Sequence, residues 1–342
     1  MSNLIFDIKK IVKDGDWFRD NHGRFLLFRG VNFASRSKLP PYLPIAPLDR
    51  SNISHADLQE EVNKVTKDLD HLKDLGFNAI RLLIMWKALE PTPNPNLDEL
   101  LPEGKKYLEM IKVIIDKLHE RGLFVILDFH QDIVHEIFGG DGFPDWALAI
   151  DKFHLKPIKR PLLDFQKRTW FLSYFINGLV KHTLRSFWNN NLRNIEFSLE
   201  NYPVRTHLEK TIGQTLKYMN QLYSGVEGPI IIGVEVFNEP HQVGLERTNF
   251  ESRILREFYI NVINEIRKVD DKVFIFIEPS ADWNVNVLPY LSSVIEITEE
   301  PLLNEIVSLS FDKNFIFNHG EISTFLPIDN EFLDRLKEQG VF

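Results

Sequence analysis

The stretch IIIGVEVFNEPH, residues Ile230–His241, decides the fold. Its apolar, β-branched run stops at Asn238, Glu239 and Pro240, and an apolar run bounded by turn residues is typical of a buried strand. Pro240 ends the strand because proline has no N–H to donate to a neighbouring strand. The stretch therefore predicts a core strand that delivers a carboxylate to one edge of a sheet.

On both sides of this stretch, apolar strands alternate with amphipathic helices. The predicted strands are Phe25–Phe28, Phe77–Met85, Leu123–Phe129, Ile230–Phe237, Val273–Ile277 and Asn314–Phe317. The predicted helices are Lys64–Leu75, Lys106–Glu120, Thr211–Tyr223, Glu251–Val269 and Asn330–Gln339. This alternation indicates a parallel sheet covered by helices. A doubly wound sheet is disfavoured, because the first strand is not followed by a glycine-rich phosphate turn.

The predicted fold class is α/β, a (β/α)8 TIM-type barrel that forms a single domain over residues 1–342. A closed barrel has eight strands, whereas about six are visible, so we expect a barrel that is incomplete at its C-terminus. An insertion at about 141–205 is rich in Trp and Phe. These aromatic residues either cover part of a ligand or pack against the helical layer. No C-terminal β-sandwich is expected.

Composition excludes several classes of function. The 342 residues carry a net charge of −9, which argues against a nucleic-acid-binding surface. There is no cysteine, so disulfides and thiolate metal sites are excluded. The N-terminus lacks a signal-peptide core, and no run approaches the ~18 apolar residues of a membrane span. We expect a cytoplasmic protein, or a secreted one whose leader has been removed.

Polar residues cluster around the ends of three successive predicted strands. They are Arg81 in the second strand, His130, Gln131 and Asp132 after the third, and Asn238 and Glu239 after the fourth. The catalytic groups of α/β barrels lie at the C-terminal ends of strands, so we expect these side chains to meet in one cleft. The alternatives are a helix cap for Glu239, a backbone-bonded histidine for His130 and a core ion pair for Arg81. Glu278 also ends a strand before a proline, and it suits a cleft or a structural role equally.

Four segments of the sequence resemble glycoside hydrolase family 5, namely GRFLLFRGVNFASRSKLP, NAIRLLIMWKALEP, ILDFHQDIVHEIFGGDGFPDW and VFNEPH. The chain is most similar to the endoglycoceramidase, glucosylceramidase and sterylglucosidase branch, and the resemblance covers roughly residues 16–279. It implies a retaining β-glycosidase that cleaves the glycosidic bond of a glycolipid. The substrate would be glucosylceramide, an oligoglycosylceramide or a steryl glucoside, with endo or exo cleavage left open.

The resemblance also implies roles for single residues. Glu239 matches the general acid/base, Asn238 the residue that hydrogen-bonds the sugar 2-hydroxyl, and Arg81 the arginine that supports the nucleophile carboxylate. A general acid must stay protonated near neutral pH, which burial and a nearby carboxylate achieve by raising its pKa.

Substrate-binding residues follow from the same match. His130 corresponds to the active-site histidine of the third strand, with Gln131 and Asp132 beside it in the sugar-binding run. Lys38 corresponds to a lysine at the sugar-binding end of the first loop. The implied partner is a β-glucoside or glycolipid, with transient contact to a lipid surface.

No metal and no cofactor are expected. His130, His135 and Glu136 form a histidine- and acid-rich run, but zinc motifs on helices place two histidines at i and i+4, and the spacing here is five. The glycine-rich run Phe138–Trp146 lacks the Lys-Ser/Thr of a phosphate-binding loop. We expect it to form a flexible loop at the rim of the cleft.

A retaining glycosidase needs a second carboxylate ~5–5.5 Å from the acid/base, and the resemblance places this nucleophile after a seventh strand. Two explanations account for the lack of such a strand near Asn330–Gln339. The favoured one is that the chain ends before the seventh strand, in which case His319 matches a histidine of the sixth. In the other, Phe315–Glu321 ends at the nucleophile, Glu321. A barrel without a nucleophile would be a catalytically dead binding or assembly module.

Overall fold

The structure, a computed structural model, describes residues 8–14, 17–34, 36–45, 53–151, 173–245 and 249–281, together with the backbone of 315–317. Three features predicted from the sequence lie outside these residues: His319, Glu321 and the helix Asn330–Gln339. Within the described ranges, the strands and helices follow the alternation that the sequence predicts.

The helices and strands have the following bounds. The strands are β1 (Ile11–Asp14), β2 (Trp17–Asp20), β3 (Phe25–Leu26), β4 (Gly30–Phe33), β5 (Ala79–Met85), β6 (Phe124–His130), β7 (Leu192–Asn194), β8 (Leu199–Tyr202), β9 (Ile231–Glu235), β10 (Phe274–Ile277) and β11 (Phe315–Phe317). The helices are α1 (His55–Lys64), α2 (Thr66–Asp74), α3 (Trp86–Leu89), α4 (Pro102–His119), α5 (Ser173–Ile176), α6 (Gly178–Trp188), α7 (Val204–Leu222) and α8 (Arg256–Arg267). A π-helical turn, Phe250–Leu255, leads into α8.

Six strands form one sheet in the order β11-β10-β9-β6-β5-β4, and each neighbouring pair is parallel. The order of these six strands in the sheet is also their order along the chain, and helices connect most of the neighbouring strands. The antiparallel hairpin of β7 and β8 belongs to the segment between β6 and β9. This is the arrangement of a (β/α) barrel, in which the carboxyl ends of all strands meet at one rim.

The two faces of the sheet differ in chemistry. Side chains of successive strand residues point to opposite faces. In β5, Ile80, Leu82 and Ile84 belong to the large core that includes the helices, whereas Ala79 belongs to a smaller core with Phe124 and Phe276. The next residue on the same face as Ala79 is Arg81. The barrel interior is therefore apolar at its amino end and ionic towards its carboxyl rim.

The prediction for the first strand was wrong in its position. The apolar run Phe25–Phe28 divides between two places: Phe25 is 58% exposed in β3, which pairs antiparallel with β2, and Phe28 is buried. The Phe28 ring meets Phe18 and Phe124 with centroid distances of 5.0 and 5.6 Å. The first strand of the parallel sheet is β4, because the chain crosses the bottom of the barrel before it enters the sheet.

Three large aromatic residues of the insertion pack inside the protein. Trp146, Phe187 and Trp188 are at most 1% exposed. The rings of Phe187 and Trp188 lie 5.5 and 5.3 Å from the ring of Phe237, which follows β9, and both also contact Phe258 of α8. Of the two interpretations, packing against the helical layer is confirmed for these residues.

Gly233 in β9 provides a test of the packed interior. A Cβ atom at this position would lie 2.2 Å from the ring of Phe276, which is 1% exposed and has little space to move. Gly233→Ala is expected to lower the free energy of unfolding by ~1–3 kcal/mol, measured by chemical denaturation.

Gly178→Ala is the matched control. A Cβ at Gly178, at the exposed start of α6, would meet no atom within 4 Å. This variant should be neutral or slightly stabilising, because alanine favours a helix over glycine. Equal losses in the two variants would contradict close packing around Phe276.

Candidate active site

The charged side chains of Arg81, Asp128, His130 and Glu235 form an ionic layer in the barrel interior, and Arg81 is its central cation. Its Nε and Nη2 atoms donate to the two carboxylate oxygens of Glu235 at 2.5 and 2.7 Å. Nη2 also donates to Asn238 Oδ1 at 2.9 Å and lies 3.1 Å from Asp128 Oδ2. Arg81 is 7% exposed, and Glu235 and Asp128 are fully buried. Arg81 thus forms the core ion pair that the sequence offered as an alternative role. Among the described residues, the carboxylates that Arg81 contacts are those of Glu235 and Asp128.

His130 lies between two carboxylates. Its Nδ1 is 2.8 Å from Asp128 Oδ2, and its Nε2 is 3.2 Å from Asp132 Oδ2. Burial alone would lower the pKa of His130, but Asp128 and Asp132 outweigh it and raise the pKa to about 10. The imidazolium therefore donates from both nitrogens. The described partners of the His130 ring are therefore side chains, whereas the alternative interpretation of the sequence predicts hydrogen bonds to the backbone.

Lys38 brings the first loop to the same rim. Its ammonium group bonds the Asp132 carboxylate and lies 3.3 Å from Asp141 Oδ2. Burial would raise the pKa of Asp132, but His130 and Lys38 lower it to about 2. Asp141 differs, because burial and the Asp132 charge raise its pKa to about 6. The Lys38 side chain is 39% exposed, so the Lys38–Asp132 pair is accessible to the hydroxyl groups of a ligand.

The same acids form the one group with metal-ligand spacing found within the described residues. Potential ligand atoms of His130, Asp132 and Asp141 lie within 4.8 Å of one another. The chemistry of this set does not fit a divalent ion, because Lys38 and the protonated His130 already supply two positive charges to the two aspartates, and both His130 nitrogens carry protons. The cluster is therefore an ion-pair network with its own cation.

Gln131 and Asn238 join the ends of β6 and β9. Gln131 Nε2 donates to the carbonyl oxygens of Asn238 and Glu239 at 2.8 and 3.2 Å, and Asn238 Nδ2 donates to the Gln131 carbonyl at 3.0 Å. Because Asn238 Oδ1 is already bonded to Arg81, the orientation of its amide is fixed. These bonds hold the backbone that carries Glu239.

Glu239 occupies a strained and only half-buried position at the end of this strand. Its φ of +46° lies in the left-handed region, which residues other than glycine adopt at a cost of ~1–3 kcal/mol. Its N–H donates to Glu278 Oε2 at 2.9 Å. The Glu239 charge contributes to raising the pKa of the buried Tyr174, after burial itself and Asp132. Glu239 therefore belongs to the same site as the residues of β6.

The glycine-rich loop is packed, which contradicts the expectation of a flexible rim loop. Phe143 and Trp146 are buried, and Asp132 and Asp141 exchange backbone hydrogen bonds at 2.7 and 3.3 Å. A Cβ at Gly140 would lie 1.7 Å from the Asp132 carbonyl oxygen. The loop needs glycine at this position because two backbone segments touch there.

Sequence reasoning brought together Lys38, Arg81, His130, Gln131, Asp132, Asn238 and Glu239, and the structure places all seven around one rim. It missed three acids that these residues contact, Asp128, Asp141 and Glu235, and left the place of Glu278 open. One signal was available: an ionisable residue in an apolar central strand must have a buried partner. Asp128 in LFVILDF and Glu235 in IIIGVEVF fit that description.

A family comparison decides the identity of the barrel. The sequence model of the family described as Cellulase (glycosyl hydrolase family 5) matches residues 47–301, which is most of the chain. The chain belongs to this family. The fold is accordingly the TIM barrel of glycosyl hydrolase family 5, with its ionic layer and the Asn238–Glu239 turn at the carboxyl rim.

Several characterised proteins are similar to this chain. A glucosylceramidase of Rhizopus delemar is 26% identical over 264 residues, covering 69% of this chain and 36% of that protein. Endoglycoceramidase I of Rhodococcus hoagii is 26% identical over 284 residues, covering 81% and 47%. Endo-glycoceramidase II from Rhodococcus sp., solved as a lactosyl-enzyme intermediate, superposes with a TM-score of 0.54 at 25% identity, covering 78% and 52%. The chain thus spans about a third to a half of the relatives' length.

The pKa of His130 predicts how stability depends on pH. In the unfolded chain His130 loses its proton near its ordinary value of 6.5, whereas the folded protein retains it up to about 10. The stabilisation from protonated His130 is therefore complete below pH 6.5 and is lost as the pH rises to about 10. Thermal unfolding between pH 6 and 10 should show a decline that is reduced in His130→Gln.

His119→Gln is the control for this measurement. Burial lowers the pKa of His119 below 6.5, so this residue affects the pH dependence of stability only below that value. An unchanged slope in His130→Gln, or a slope lost equally in His119→Gln, would contradict a protonated His130.

Proposed function

We propose that the protein is a retaining β-glycosidase that hydrolyses the bond between a sugar and its lipid aglycone. The observation that carries the proposal is the half-buried Glu239, held by backbone bonds at the carboxyl rim beside Arg81, Asn238 and His130. Family membership supports glycoside hydrolysis, and the named activities of the relatives support a glycolipid substrate.

In the first chemical step, the nucleophilic carboxylate would attack the anomeric carbon while Glu239 protonates the glycosidic oxygen, so that the aglycone leaves as the glycosyl–enzyme bond forms. A general acid in this position contributes typically ~10²–10⁴-fold to the rate. Asn238 would bind a sugar hydroxyl next to the bond being broken. In the second step, the ionised Glu239 would take a proton from the water that attacks the anomeric carbon and displaces the nucleophilic carboxylate.

The sugar itself would be bound by the accessible ion pair. Lys38 and Asp132 offer a donor and an acceptor that are already paired, so their charges need no further neutralisation by the ligand. Asp132 in turn is fixed by His130. This pair suits hydroxyl groups of a glucose unit, because hydroxyls both donate and accept.

The nucleophile is proposed to come from outside the described residues. Asp128, Glu235 and Glu278 are buried and bonded to His130, Arg81 and the Glu239 backbone respectively, so none of them is presented to a ligand. Glu321 is the candidate within the chain, and it follows β11, whose Phe317 pairs with Ile277 at the rim. Loss of all turnover in Glu321→Gln would assign it, and normal turnover would exclude it.

A lipid aglycone implies transient contact with a membrane surface rather than insertion. No described helix is both long and apolar enough to cross a bilayer.

An assay distinguishes ceramide from sterol as the aglycone. It compares the rate of hydrolysis of glucosylceramide or lactosylceramide in mixed micelles with the rate of hydrolysis of a steryl glucoside. Release of lactose as a disaccharide would show endo cleavage.

The acid role of Glu239 predicts a dependence on the leaving group. Glu239→Gln should reduce kcat/KM for glucosylceramide by ~10²–10⁴-fold. The first step on 2,4-dinitrophenyl β-glucoside should be affected far less, because dinitrophenolate leaves without protonation. Glu227→Gln is the matched control, an exposed glutamate that pairs with Lys9 far along the chain, and it should retain full activity.

Equal losses on both substrates would contradict a proton-donor role for Glu239. Binding of the glycosides without turnover of either one by the unmodified chain would favour the sugar-binding barrel considered as the alternative.

A further inference from the structure

Glu278 is a buried carboxyl group that the proposed reaction steps do not use. It follows β10 directly and is 3% exposed. Its backbone is fixed by Tyr259 of α8: the Tyr259 hydroxyl donates to the Glu278 carbonyl at 2.5 Å and accepts from the Glu278 N–H at 3.2 Å. The helix thus holds this residue in place, and the side chain extends to the neighbouring strand.

One end of the Glu278 side chain supports the strained turn at Glu239. Glu278 Oε2 accepts the Glu239 N–H at 2.9 Å, and the adjacent Pro240 carbonyl accepts the Ala281 N–H at 2.8 Å. A non-glycine residue stays in the left-handed region only where its surroundings enforce that conformation. The segment after β10 supplies these two bonds to the segment after β9.

The Glu278 carboxyl group also forms a side-chain hydrogen bond with Glu235. Two carboxyl groups in contact share one proton. Burial would raise the pKa of Glu235, but Arg81 opposes this effect and holds it below its ordinary value. Burial and the Glu235 charge raise the pKa of Glu278 well above its ordinary value. Glu278 Oε1 is buried and accepts no hydrogen bond from the described groups, as expected if that oxygen carries the proton.

We propose that Glu278 is a positioning residue, a neutral carboxylic acid that donates its O–H to Glu235 and accepts the Glu239 N–H. It couples the acid/base turn to the Arg81–Glu235 pair, so that the location of the Glu239 carboxyl depends on the ion pair beneath it. The catalytic consequence rests on the proposed function of Glu239, whereas the protonation state and the backbone bond do not.

The protonation state is tested by two identical substitutions in neighbouring glutamates. Glu278→Gln reproduces the neutral acid, since its amide oxygen accepts from Glu239 and its NH₂ donates to Glu235. Its melting temperature should stay within a few degrees of the parent. Glu235→Gln removes the charge that compensates Arg81 and should lower the melting temperature by roughly 6–20 °C. The infrared band of a protonated carboxyl should be present at pH 7 and vanish in Glu278→Gln.

The positioning role is tested by comparing Glu278→Leu with Glu278→Gln. Leucine leaves the Glu239 N–H without its acceptor, so kcat for glucosylceramide should fall on the order of ten- to hundredfold with KM nearly unchanged. The loss should be smaller for 2,4-dinitrophenyl β-glucoside, a difference that general destabilisation would not produce. Glutamine should restore kcat. Hydrogen–deuterium exchange of the Glu239 amide should be fast in the leucine variant and slow in the parent and the glutamine variant.

The melting, infrared and exchange results bear on the inference independently of turnover. The inference is overturned if Glu278→Gln lowers the melting temperature while Glu235→Gln does not. It is also overturned if the infrared band of the protonated carboxyl is unchanged in Glu278→Gln, because Glu278 would then be ionised. A slowly exchanging Glu239 amide in Glu278→Leu would overturn the backbone role. If the parent protein hydrolyses no glycoside, the proposed function fails, while melting, infrared and exchange measurements still decide the state of Glu278.

Discussion

The bidentate pair between Arg81 and Glu235 is the interaction on which the site depends. Both residues lie in the barrel interior on strands separated only by β6, with Glu235 fully buried and Arg81 7% exposed. A buried charge without a partner is strongly destabilising. The pair therefore requires β5 and β9 to keep their places on either side of β6, and it sets the height at which the apolar interior gives way to polar groups.

The rim is built outward from this pair in two directions. On the β6 side, Asp128 connects Arg81 to His130, and His130 leads through Asp132 to the accessible Lys38. On the β9 side, Arg81 fixes the Asn238 amide next to Glu239. A sugar bound by Lys38 and Asp132 would thus meet a proton donor whose position derives from the same cation, which is the pre-organisation that catalysis requires.

Residues that chemistry places at strand ends were predictable from the sequence. Glu239 and Asn238 were found because an apolar strand stops at them, and His130 for the same reason. Glu235 was missed because its partner Arg81 lies 154 residues away, and only the order of strands in the sheet brings them together. Phe25–Phe28 was placed wrongly because its apolar pattern does not reveal that the chain turns under the barrel between Phe25 and Phe28. The periodicity of apolar residues predicts which residues of a strand are buried, but it does not predict which other strand is its neighbour in the sheet.

The central claim is that Glu239 donates the proton to the leaving group. The most direct test of this claim is a crystal structure of the protein with a bound, non-hydrolysable thioglycoside of a lipid. The measurement is the distance from the Glu239 carboxyl to the sulfur that replaces the glycosidic oxygen. The account predicts hydrogen-bonding reach, ~3 Å, with the sugar hydroxyls on Lys38 and Asp132. A sugar bound in the cleft with its linking atom remote from Glu239 would contradict the account.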